Sequence, residues 1–481
     1  MHVDHLPELE RESRRLDPVG AERNRLMEAV FGYASRYLDS IPSAPAYFHR
    51  PDRGIGVLDT PISEEGVGIE RVLSILGEHV DSVGINTTSG RFLGYIPGGG
   101  LFYSALGDFL AAVSNRYASV FFASPGAARI ENQLVRWMGG IVGYPADCAG
   151  YLAAGGSQAN LTAIVTARDR HGIEGAGVSK AVVYLTEHAH HCIEKALNLV
   201  GLRSCVRRLV PVDGSHRMLA SELDVMIQRD RADGLSPWMV VASAGTTNTG
   251  SVDPLDEIAQ VAHGRGLWYH VDGAYGAFFV LCPEGAGILG GMDRSDSLVM
   301  DPHKTMFLPY GTGALLVRDG RKLLASHATG ADYLQDTLGA DQELSPADLS
   351  PELTKHFRGL RFWLPLQVLG AAPFRAALSE KIRLARHFHE RLSAIRGFEV
   401  GPYPDLSVVT YRYLPKRGDA DAFNRALLAA IHEDGRVFVT STQLDGKFTL
   451  RMAAVCFRTH LADIETAIEV LVETARRLED E

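Results

Sequence analysis

A lysine with a histidine at its side, directly after the apolar run 298–300, is where chemistry is easiest to place in this sequence. The segment reads Asp301-Pro302-His303-Lys304-Thr305. A lone lysine is ordinarily a solvated surface residue. At the end of a buried strand it is instead a partly desolvated amine, which can lose its proton and attack an aldehyde as a Schiff-base lysine. Upstream stands Tyr269-His270-Val271-Asp272-Gly273-Ala274-Tyr275-Gly276. Its plain reading is a strand-end aspartate satisfied by backbone amides. Its chemical reading is an acid that pairs with a protonated ring nitrogen of a flat cofactor and makes that ring an electron sink. Gly273 and Ala274 are small enough to let such a ring lie on the backbone.

Three further segments fit that reading. Gly155-Gly156-Ser157-Gln158-Ala159-Asn160 opens a helical pattern, and a helix N-terminus with a hydroxyl is an anion site. Ala244-Gly245-Thr246-Thr247-Asn248-Thr249-Gly250 follows an apolar run and could line a phosphate or a carboxylate. His188, His190 and His191 sit together, but no second Cys/His cluster at ligand spacing completes a metal site. No metal is expected. An imidazole stacked on an aromatic cofactor suits one of the three, and structural roles suit the others.

These segments need a scaffold. The runs 181–185, 238–243, 266–271, 297–299 and 314–317 read as buried strands alternating with helices, which implies βαβ units and a mostly parallel sheet. In such sheets the loops leaving the strands' C-terminal ends carry the ligand residues. The reading is therefore α/β, with three zones. Residues 1–83 form an N-terminal helical arm, with helical patterns over 20–41 and 69–80, that must lie on another domain or subunit. Residues 84–370 form the large cofactor-binding domain. Residues 371–481 form a small α+β domain, with helices over 375–395 and 461–478 and strands over 406–413, 437–440 and 447–453.

Composition removes several classes. The 481 residues are 46% hydrophobic and 22% charged, and 48 Lys+Arg stand against 58 Asp+Glu for a net charge of −10. That is ordinary globular usage, without the basic footprint of a nucleic-acid binder. No apolar run is long enough to span a bilayer. Residues 1–15 mix acids and bases and do not read as a secretory signal. The five scattered cysteines form no framework, so a reducing cytoplasm is the expected compartment.

Taken as an ordered set, the motifs resemble the pyridoxal-phosphate-dependent group II amino-acid decarboxylases, the family of aromatic-L-amino-acid and glutamate decarboxylases. The resemblance rests on residues 155–160, 189–196, 270–275 and 301–304, in the family's order. It implies a PLP-dependent transferase fold of type I, aspartate aminotransferase-like. It implies decarboxylation of an L-amino acid, with an aromatic or apolar side chain, to the amine and CO₂. By position, Lys304 matches the lysine that carries the cofactor, Asp272 the pyridine-nitrogen partner, Ala274 the residue under the ring and His190 the stacking histidine. Gly156, Ser157, His303 and Thr247 match phosphate contacts. Residues 330–335 resemble the catalytic loop, with Tyr333 as proton donor. Gly94-Tyr95-Ile96-Pro97, with Phe102, resembles the substrate side-chain wall, often supplied across a homodimer interface.

Three departures touch substrate preference more than reaction type: the family most often carries Asn where Asp301 stands, Gly98-Gly99-Gly100 replaces the larger residues that aromatic decarboxylases tend to carry there, and an aromatic is common where Thr305 stands. Rival readings are a decarboxylating aldehyde synthase, a C–C lyase or aminotransferase on the same fold, and a cofactor-free scaffold homologue. The first is disfavoured by the presence of Tyr333 and His190, and the last by Lys304 and Asp272.

Overall fold

The computed structural model describes residues 5–51, 53–96, 98–328 and 343–480. At its centre lie strands whose every residue is buried, such as Ala181–Leu185 and Gly313–Val317. Strands covered on both faces read as continuous apolar runs, and this is why they were legible. In chain order the strands are β1 Tyr47–Phe48, β2 Gly84–Ile85, β3 Ala149–Ala153, β4 Ala181–Leu185, β5 Val206–Leu209, β6 Ser236–Ser243, β7 Trp268–Asp272, β8 Ser297–Met300, β9 Gly313–Val317, β10 Phe398–Val400, β11 Val408–Tyr413, β12 Thr440–Leu444 and β13 Lys447–Ala453.

Seven of them form one sheet in the order β3-β9-β8-β7-β6-β4-β5. The pairings β4/β5, β4/β6, β6/β7 and β7/β8 are parallel. Only β9 runs against its neighbours β3 and β8. Side chains alternate between the two faces. Val182, Tyr184, Val240 and Ala242 pack with Leu134 and Met138 of the helix Pro125–Val142 on one face. Ala181, Val183, Met239 and Val241 pack with Ala163, Ile164 and Ala167 of the helix Gly156–Arg170 on the other. The result is a three-layer α/β/α arrangement.

A second, four-stranded antiparallel sheet has the order β10-β11-β13-β12. Its apolar face, with Val409, Tyr411, Leu450 and Met452, is covered by Leu384 and Phe388 of the helix Ala372–Ser393 and by Ile464, Ile468 and Leu471 of the helix Leu461–Asp480. The helices Gly20–Ser40 and Ile69–His79 bury no residue completely. Met27, Val30, Phe31, Val72, Leu76 and Val80 on them and at their ends are all exposed.

The expected strand over 437–440 is corrected. The ladder begins at Thr440 and runs to Leu444. Val437, Phe438 and Val439 are buried because Phe438 stacks on Phe92 at 5.4 Å and on His432 at 4.5 Å. Phe438 also exchanges backbone hydrogen bonds with Arg91 and Leu93. Its hydrophobicity serves a side-chain stack rather than a sheet. The expected strand over 266–271 begins two residues too early, since Gly266 sits at φ +68° and the strand starts at Trp268. β3, β5 and β10 were not anticipated. β3 is rich in Ala and Gly, β5 carries Arg207 and Arg208, and β10 is three residues long.

Candidate active site

The parallel strands end on one side, and the motif loops converge there. Asp272 is the last residue of β7, and Lys304 lies in the single helical turn Pro302–Thr305 just beyond β8. Gly156 opens its helix three residues after the end of β3. Together with the loops after β4 and β6 they line a cavity of about 480 Å³. Its wall includes Gly156, Ser157, His190, Thr247, Asp272, Ala274, His303 and Lys304. Every cofactor-site residue expected from the sequence is thus brought to one place.

Lys304 is 24% exposed at its side chain, and its Nζ lies 3.1 Å from Asp301 Oδ2. Burial works against its charge, but the carboxylates of Asp301 and Asp272 outweigh burial and hold the ammonium above its ordinary range. Asp301 is 1% exposed. Its second oxygen, Oδ1, is buried without a hydrogen-bond partner. His303 donates from Nδ1 to the Thr312 carbonyl, 2.6 Å away, so its ring proton sits on Nδ1. Its titration is lowered mainly by burial, which keeps it neutral near pH 7. His190 is lowered for the same first reason, with His191 and Lys304 adding to it. Its Nδ1 accepts from the Cys192 amide at 3.3 Å, so the ring proton sits on Nε2.

The cradle by Gly156 admits no side chain. A Cβ there would lie 2.7 Å from Asp301 Oδ2 and 3.1 Å from the Ala274 Cβ. The first amides of its helix are the ones that helix geometry leaves unbonded, with Ser157 Oγ among them. Asp272 Oδ1 accepts from the Ala274 amide at 3.1 Å, and Oδ2 from Asn160 Nδ2 at 3.3 Å. The donor set thus matches a flat cationic ring with an anionic tail and an aldehyde: a carboxylate at one end, amides and a hydroxyl at another, and an amine between. Among the described residues no His/Cys/Asp/Glu group gathers to hold a metal.

Two expected residues fall elsewhere. Tyr95 is 55% and Phe102 is 46% exposed, and neither lines this cavity. The segment between them nevertheless runs against the lysine turn. A Cβ on Gly98 would meet the Lys304 carbonyl at 2.4 Å, and the Leu101 amide donates to Phe307 O at 2.8 Å. Pro97 and Tyr333 lie outside the described residues.

Other participants were missed. Thr305, noted only as a departure, donates from Oγ1 to the Tyr275 carbonyl at 3.0 Å and ties the lysine turn to the Asp272 loop. Arg451 of β13 is 3% exposed. It donates from Nη2 to Thr247 O at 2.7 Å and from Nη1 to Thr440 Oγ1 at 3.0 Å. Burial pulls its titration down to about 10. The one signal for it in the sequence is a charge inside an otherwise apolar strand.

With this geometry in place, the comparisons are decisive. The family model described as "Pyridoxal-dependent decarboxylase conserved domain" matches residues 59–414. The chain belongs to that family. The aromatic-L-amino-acid decarboxylase of Bacillus atrophaeus is 31% identical over 86% of this chain and 88% of its own. The phenylacetaldehyde synthase of Arabidopsis thaliana is 26% identical over 81% of this chain and 82% of its own. The crystal structure of Oryza sativa TDC with PLP and tryptamine superposes with a TM-score of 0.90 at 26% identity, covering 96% of this chain and 99% of that one. The protein is a PLP-dependent amino-acid decarboxylase of fold type I.

Asp301 gives the decarboxylase site a testable property. Asp301→Asn removes the carboxylate nearest the lysine amine, so the pH at which Lys304 becomes reactive falls. The pH profile of trinitrophenylation of Lys304 in cofactor-free enzyme measures this; an unmoved midpoint contradicts the pairing.

Proposed function

We propose that this decarboxylase converts an aromatic L-amino acid to its amine and CO₂. The observation that carries the reading is Lys304, held in a lined cavity with Asp272 on one side and the Gly156–Ser157 helix start on another. The names of the relatives support the aromatic class: an aromatic-L-amino-acid decarboxylase and the tryptophan decarboxylase 2 of Oryza sativa subsp. japonica.

When bound, pyridoxal phosphate supplies an aldehyde for an amine and a ring that takes up the electron pair of the bond to the departing CO₂. The chain's residues do the rest. Lys304 would hold the cofactor through its amine. Asp272 would pair with the ring nitrogen, and Ala274 and His190 would hold the two faces of the ring. Gly156, Ser157, His303 and Thr247 would hold the phosphate, and Arg451 fixes the Thr247 carbonyl. Tyr333 returns a proton to the substrate carbon, a role that rests on the sequence resemblance. His190 and Tyr333 together favour amine over aldehyde as product, although the synthase relative keeps the second reading in view. The decisive assay is CO₂ release across the proteinogenic amino acids. It should favour aromatic substrates and vanish in Lys304→Ala together with the visible absorption band. Release from acidic or basic substrates alone would reject the aromatic class.

The active form is a homodimer, and residues 1–83, 84–370 and 371–481 are its arm, large domain and small domain. The exposed apolar face of Met27, Val30, Phe31, Val72 and Leu76 supports a second copy as its cover. Tyr95, Pro97 and Phe102 would then complete the partner's substrate wall. Sedimentation should give an active dimer; a fully active monomer rejects this. The compartment is the cytoplasm, supported by five cysteines that are all free. Among the described residues no helix is long and apolar enough to cross a membrane.

The Tyr333→Phe variant separates the tyrosine's two possible uses. Loss of a positioned acid costs about 10²–10⁴-fold, so amine formation should collapse while cofactor binding survives. Under air the products should shift toward aldehyde, ammonia and peroxide. Near-normal amine yield with no aldehyde rules out the proton-donor role.

A further inference from the structure

Hydrogen-bonded to Asp272 lies a row of buried polar groups that binding and bond cleavage do not themselves require. Trp268 is 2% exposed, and Ser297, His270 and Asn160 are each 0% exposed. His270 of β7 and Ser297 of β8 are cross-strand partners in the parallel ladder, and Asn160 enters from the helix Gly156–Arg170. Trp268 Nε1 lies 2.8 Å from Ser297 Oγ, and Ser297 Oγ lies 2.8 Å from His270 Nδ1. His270 Nε2 lies 2.7 Å from Asn160 Oδ1, and Asn160 Nδ2 lies 3.3 Å from Asp272 Oδ2 and 3.4 Å from Cys192 Sγ.

The donors and acceptors in this row can be assigned. An indole N–H only donates, so Ser297 Oγ accepts from Trp268. The serine hydrogen is then free for His270 Nδ1, which leaves the histidine proton on Nε2. That proton needs an acceptor, which Asn160 Oδ1 provides, and the Asn160 amide then donates to Asp272. The reverse assignment puts a proton on Nδ1 and leaves Nε2 as an acceptor. It must flip Asn160, face its oxygen toward a carboxylate oxygen and leave the serine hydrogen idle. In a buried site both faults are costly. Burial also pulls His270 down to about 4, so the ring is neutral and the assignment is the single-tautomer one.

We propose that Trp268, Ser297, His270 and Asn160 are positioning residues that act through Asp272. They form a one-way row of hydrogen-bond donors that fixes its carboxylate toward the cofactor's ring nitrogen and stabilises its negative charge there. This rests on the reading of Asp272 as the ring-nitrogen partner. Its consequence is that the protonation of the bound ring depends on an indole three hydrogen bonds away from Asn160's own contact with the acid.

Two measurements test it. In wild-type enzyme loaded with pyridoxal phosphate, ring-¹⁵N-histidine NMR, with His270 assigned by its loss in His270→Gln, should show a proton on Nε2. A proton on Nδ1 overturns the row without any variant having to fold. Next, cofactor labelled with ¹⁵N at the pyridine nitrogen should report a protonated nitrogen in wild type. In His270→Leu the signal should move toward the neutral pyridine, with cofactor affinity weakened about tenfold, the scale of one charge-assisted hydrogen bond. His270→Gln keeps an N–H aimed at Asn160 Oδ1 and should restore the wild-type shift. A purely structural role would weaken binding in both variants and leave the nitrogen shift unchanged, which overturns the proposal. Wild-type protein that takes up no cofactor fails the reading of Asp272, and this proposal with it. Loaded wild type beside an unshifted His270→Leu fails the proposal alone.

Discussion

A cation and two carboxylates meet at the floor of one cavity. Lys304 sits within 3.1 Å of Asp301 and also feels Asp272. Charges taken out of water are tolerated only when paired, so the lysine turn, the β7 end and the Gly156 cradle must meet with little slack. The surrounding contacts serve that meeting. Thr305 ties the lysine turn to Tyr275, Gly156 gives room for Asp301, and Tyr275 in turn holds Ser407 of the small-sheet segment at 2.7 Å. Loosening any of these would leave a buried charge without its partner.

The reach of the second sheet into the site follows from the same constraint. β13 is apolar on the face toward its helices, while on the other it carries Arg451, whose two Nη atoms donate to Thr440 and Thr247. Its Nε has no hydrogen-bond partner. Among the described residues no carboxylate pairs with it. An uncompensated buried arginine is expensive, and its place against the β6 loop makes the seating of the small sheet part of the geometry of the cavity.

What the sequence made legible was whatever is local. Lys304, Asp272 and His190 each follow an apolar run by a few residues, and Gly156 opens a helical pattern, so a local motif was enough to find them. The parallel sheet was legible because strands buried on both faces carry no polar alternation. Arg451 was not legible, since it lies far along the chain and reaches the site only through tertiary packing. The hydrogen-bond row behind Asp272 was hidden in plain motif letters: Asn160 and His270 were both quoted, but their contact spans 110 positions. The strand over 437–440 misled because Phe438 is buried by aromatic stacking on Phe92, and hydrophobicity alone does not say what buries a residue.

The two margins of the large sheet have a different consequence. On one side β5 ends the sheet with Arg207 and Arg208, the latter paired to Asp230 at 2.7 Å. On the other, Leu349 of the turn Pro346–Leu349 packs in the same cluster as Ala149 and Tyr151 of β3. Charged or covered edge strands resist strand addition. The large sheet is therefore protected on both of its margins against extension by a strand of another copy.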